Sequence, residues 1–189
     1  MELHFHSSVE YMNHVIELAP SELNDWLDAI LNNRSYAPKN FNWLGLAEIL
    51  ARRALETRSL QWAHLAIRVY EYRARSADKD ERDSLLCSEM RVRVHFIKQF
   101  GLSKEDGLLD INTVVSWFME NTDCSLEWAK NVSDNWLDKL QKGEITIETI
   151  NALRKIKNRI NIVKSLDSLG FLDGYPEVRQ WIALSSQLP

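Results

Sequence analysis

Glycine and proline are scarce in this chain of 189 residues, with only 6 and 4 occurrences. Both residues punctuate turns and strand ends, so their shortage points to long helices joined by few, short loops. The glycines are scattered singly, and neither a dinucleotide fingerprint nor a phosphate-cradling loop can be assembled from them. Nucleotide-dependent catalysis is therefore not expected. Cysteine is equally rare. Cys87 and Cys124 have no CxxC partner and fall in or beside apolar helical stretches, which argues against a disulfide framework and for packing in a reduced, cytosolic setting. Runs of about eighteen apolar residues are missing, and MELHFHSSVEYMNH has neither the basic flank nor the apolar stretch of a signal peptide. The expected location is cytoplasmic, with no membrane partner. No Ser/His/Asp or Cys/His constellation has local support, so neither an enzyme nor a cofactor is expected.

What is present is ordinary for a globular chain. Apolar residues make up 45% and charged residues 26%, enough to bury a core without metal or disulfide staples. The length fits a single domain over residues 1–189. Apolar side chains recur at helical spacing almost throughout, and no alternation long enough for a strand interrupts them. The expectation is an all-α fold of about nine helices: roughly 8–19, 21–32, 42–57, 59–76, 79–100, 111–121, 125–141, 146–169 and 176–188. Val9, Met12, Ile16 and Ala19 form the apolar stripe of the first, and Leu23, Trp26, Leu27, Ile30 and Leu31 that of the second. Ser59, Asp110, Ser125 and Thr146 are expected N-caps, Gly101 a C-terminal cap, and Pro176 a first-turn proline. NNRSYAPKN reads as a loop.

One phrase occurs twice, nineteen positions apart: Trp43, Leu46, Ala47, Leu50, then Trp62, Leu65, Ala66, Val69. Positions i, i+3, i+4 and i+7 share a helix face, and the small alanine lets a neighbouring helix approach closely. The phrase resembles the first helix of a tetratricopeptide-type hairpin. That likeness, over residues 42–76, implies consecutive antiparallel hairpins in a right-handed tetratricopeptide-like or HEAT-like array. An irregular bundle remains the alternative, since no strict period of about thirty-four residues runs through the chain.

Charge is unevenly spread. Residues 1–33 carry six carboxylates and no Lys or Arg. Glu10 and Glu17 lie on the polar side of the first helix, and Glu22, Asp25 and Asp28 on that of the second. If Pro20-Ser21 folds the two into a hairpin, these five make an acidic surface that steers a basic partner. The opposite sign appears on 59–76, where Gln61, His64, Arg68, Glu71 and Arg75 form the polar stripe, and on 146–169, where Arg154, Lys157, Asn161 and Lys164 line up. Within 79–100, Arg93 points into an apolar arc of Leu86, Met90, Val94 and Ile97, with Glu89 one turn earlier. Either an i,i+4 pair or an ionic contact to another helix accounts for it. His4, His6 and His14 are the one cluster with metal-ligand residue types, but a mobile N-terminus is the simpler explanation, and no metal is expected. Trp26, Trp43, Trp62, Trp128 and Trp136 read as core packing.

In size, charge layout and lack of catalytic motifs the chain resembles bacterial toxin-immunity proteins. The resemblance implies a non-catalytic protein that binds and occludes a basic, nuclease-like toxin, here through Glu10, Glu17, Glu22, Asp25 and Asp28. The alternative is a helical nucleic-acid-binding or regulatory adaptor using Arg68, Arg75, Arg154, Lys157 and Lys164.

Overall fold

The computed structural model describes residues 7–101, 138 and 141–185. Among them lie seven α-helices and no strand: α1 (Ser8–Glu17), α2 (Pro20–Leu31), α3 (Trp43–Thr57), α4 (Leu60–Ser76), α5 (Lys79–Phe100), α6 (Ile147–Ser168) and α7 (Pro176–Ser185). The all-helical expectation is met there. The helices expected over 111–121 and 125–141 fall almost wholly outside the described residues, as do Cys124, Trp128 and Trp136. Chain contacts divide the protein into two compact units, residues 1–103 and 104–189.

Local chemistry sets the helix ends. Ser7 Oγ accepts from the backbone N–H of Glu10 at 3.1 Å, and Asp78 Oδ1 from that of Glu81 at 2.9 Å. At α2, Pro20 opens the first turn while Glu22 Oε2 reaches back to accept from Ala19 N at 3.0 Å. Asn42 caps α3 by accepting from Gly45 N at 2.9 Å. A Cβ on Gly45 would sit 2.5 Å from the Asn42 side-chain amide nitrogen, so a larger residue there would displace the Asn42 side chain from this position. Gly101 ends α5 in the left-handed region at φ 64°, as its place in the sequence suggests. Pro176 opens α7.

In the first unit α3 packs on α4 and α4 on α5, while α1 rests chiefly on α3 and α2 on α4. Leu23, Leu27, Leu46, Leu50, Val69 and Phe96 are fully buried between them, and Ala47, Ala54, Ala63 and Ala66 have no exposed surface. Small residues there let the helix axes come close. Both copies of the repeated phrase turn their Leu, Ala and aliphatic positions into this core, with Trp43 and Trp62 half-buried at its margin.

The face of α1 departs from the expected stripe. Val15 is its buried residue, Val9 is 66% exposed, and Ala19 lies exposed in the connection to α2. Tyr11 explains the rotation, because its hydroxyl accepts a hydrogen bond from Trp26 Nε1 at 2.7 Å. Arg53 fixes the other end of α1 by donating to the carbonyl of Ile16 in its last turn, where intrahelical donors run out. The same guanidinium lies 5.4 Å over the Trp62 ring. Leu31, expected inside, is exposed at the end of α2.

The second unit packs α6 on α7. Ile160, Val163, Leu166, Leu172, Val178 and Ile182 are buried there. Arg179 clasps the intervening turn, donating to Asp167 at 2.6 Å and to Asp173 at 2.7 Å.

Candidate interaction surfaces

Aromatic rings form a layer where α1, α2, α3 and α4 meet. Trp26 stacks on Trp43 at 5.7 Å, Phe41 meets Trp43 edge-on at 4.7 Å, and Trp43 lies 4.6 Å from Tyr72. Burial pushes the Tyr11 hydroxyl above its ordinary pKa, and the hydrogen bond from Trp26 partly offsets this. Beside the layer is an open cavity of about 220 Å³, walled by Tyr36, Lys39, Trp43 and Tyr72. Tyr36 is 82% exposed. Sequence reading passed over it as a loop residue; an aromatic inside a polar loop just before Ala37-Pro38 was the available signal.

Of the five predicted carboxylates, Glu10, Glu17, Glu22 and Asp25 are exposed on α1 and α2. Asp28 is half-buried and pairs with Arg68 of α4, which also donates to Asn24. Asn24 in turn donates to Asp28 at 3.3 Å. Asp28 and Arg68, expected from the sequence on two different surfaces, thus pair with each other between α2 and α4. Arg75 is exposed at the far end of α4.

Between α4 and α5 lies an ionic triad. Arg93, 9% exposed, donates to Glu89 Oε1 at 2.8 Å and reaches Glu71 of α4. Both accounts offered for Arg93 are realised at once. Glu89 is only 4% exposed. Burial raises its carboxyl above the ordinary range; Arg93 opposes this, Glu71 adds to it, and Arg75 opposes it again. This is a structural network, since its three groups face one another across the α4–α5 interface.

On α6, Arg154, Lys157, Asn161 and Lys164 are all exposed. No Asp or Glu among the described residues forms an ion pair with Arg154, Lys157 or Lys164. Cys87 is buried and His14 exposed. His4 and His6 lie outside the described residues, among which no group of three or more His, Cys, Asp or Glu is placed to hold a metal. No helix among them is long and apolar enough to cross a membrane. Comparison with protein-family models, curated proteins and solved structures gives no match, so a functional reading rests on these surfaces.

Proposed function

We propose that the chain is a non-catalytic, cytoplasmic protein-binding module whose α1–α2 surface docks a basic protein, as an immunity-type inhibitor occludes a nuclease-like toxin. The observation that carries this reading is the set of exposed carboxylates Glu10, Glu17, Glu22 and Asp25 on two helices that hold no Lys or Arg. Such a one-signed field accelerates encounter with a basic partner and engages cations that otherwise hold substrate phosphate. Val9, Leu31 and Tyr36 are exposed in the same unit and supply the apolar anchors that charge alone lacks. Their support is a degenerate array of antiparallel hairpins running through α3, α4 and α5.

Co-purification from a host lysate, with and without nuclease treatment, separates a protein partner from one bridged by nucleic acid. With the captured partner in hand, Glu17→Lys together with Asp25→Lys lowers the association rate by about tenfold at low salt while helicity is retained. Unchanged association kinetics would remove the acidic surface from the mechanism.

A further inference from the structure

We propose that the outward face of α6 binds the phosphate backbone of a nucleic-acid duplex. This surface belongs to the second compact unit and is independent of the carboxylates on α1 and α2. Asn151, Arg154, Lys157, Asn158, Asn161 and Lys164 are all exposed, whereas Arg159, Ile160, Ile162, Val163 and Leu166 are buried. At 3.6 residues per turn the six exposed side chains fall within an arc of about 140°. No described carboxylate lies in that arc. Asp167 lies about 60° outside it and is bonded to Arg179.

The residue types select the ligand. Three cations are interspersed with three amides, a set that meets phosphate oxygens with charge and with neutral donors, and that can also reach base edges. From Arg154 to Lys164 the helix rises about 15 Å. A duplex presents one charge per about 1.7 Å, or about nine phosphates over that length, so each cation has a phosphate of its own. A lipid surface calls for several apolar side chains beside the cations, and among the exposed described residues of this face Ile147, at the start of α6, is the one apolar side chain. The row also differs from Arg68, whose charge is already matched by Asp28.

The test is fluorescence anisotropy of a labelled random-sequence 20-base-pair DNA duplex with the full chain, titrated at several salt concentrations. Three phosphate contacts give a slope of log K against log salt of about −2.7, and each of Arg154→Gln, Lys157→Gln and Lys164→Gln reduces its magnitude by about 0.9. The triple variant binds without salt dependence while its circular dichroism is unchanged. Glu17→Lys with Asp25→Lys leaves the contribution of the α6 row intact, seen as the same loss of slope when the triple substitution is added. No duplex binding at low salt, or a slope that survives the triple substitution, overturns the proposal. Equal or tighter binding of vesicles containing phosphatidylserine, or of poly-glutamate, lost in the same variants, also overturns it and assigns the face to lipid or to an acidic protein.

Discussion

The cation rows of α4 and α6 read alike in the sequence, as Arg and Lys at helical spacing on a polar stripe, yet they have different fates. On α4 the stripe is flanked by two other helices. Arg68 is bonded to Asp28 and Asn24 of α2, and Glu71 to Arg93 of α5. Even Arg75 lies near enough to Glu89 for its charge to favour the carboxylate. On α6 Arg154, Lys157 and Lys164 look outward, and Asp167, near the end of the helix, is engaged by Arg179. A row of charge is available to other molecules only where the neighbouring helices supply no counter-charge. The spacing records the row, and only the packing records the neighbours.

The largest effect is expected where that packing is tightest. Arg93→Ala leaves Glu89 buried beside Glu71 without its main counter-charge, and breaking a buried pair in this way costs about 3–5 kcal/mol, read from urea denaturation. Adding Glu89→Gln recovers part of the loss, because the uncompensated charge is then gone. A loss below about 1 kcal/mol for Arg93→Ala places the triad with ordinary surface pairs and erases the contrast between α4 and α6.

Glu89 also gives the contrast a pH signature. Its carboxyl is raised in the folded protein, chiefly by burial, so the folded state holds the proton more tightly than the unfolded chain. The corresponding stability is fully present below the ordinary glutamate range and is lost as pH rises through the raised value. Wild-type stability relative to Glu89→Gln therefore declines as pH rises from acid toward neutrality. A difference that stays flat, or widens in favour of wild type, reverses the sign and shows that Arg93 outweighs burial.

Much of this architecture was legible from residue spacing. Leu23, Leu27 and Ile30, like Leu46, Ala47 and Leu50, are buried where the 3.6-residue period puts them, and Gly101 and Pro176 mark the helix ends they were assigned. Arg93 announced itself as a cation in an apolar arc. The α1 face was not legible, because a ten-residue helix offers two overlapping apolar stripes and the choice was made by Tyr11 meeting Trp26 and by Arg53 meeting the carbonyl of Ile16. Asp78 escaped notice as a cap although Asp78 and Glu81 have capping-box spacing. The pairing of Asp28 with Arg68 spans forty positions and depends on how α2 crosses α4, which no local pattern encodes.

A smaller effect is expected at that crossing. Arg68 and Asp28 are both partly exposed, so solvent screening holds Arg68→Ala to about 0.5–1 kcal/mol. A double-mutant cycle with Asp28→Ala isolates the pair, and zero coupling would return Arg68 to the outward row first read on α4.

The smallest effect belongs to α6, and it is the most discriminating. Substituting Arg154, Lys157 and Lys164 together by Gln should change stability by no more than about 0.5 kcal/mol, since each is exposed and Gln keeps most of the helix propensity of Arg and Lys. On α4 a single cation is expected to cost as much as all three do here. That disparity follows directly from which rows have carboxylate neighbours. If the triple variant instead loses more than about 1 kcal/mol in urea denaturation, the α6 cations have internal partners after all. Their loss from duplex binding would then report a weakened fold, so the stability measurement has to accompany the anisotropy titration.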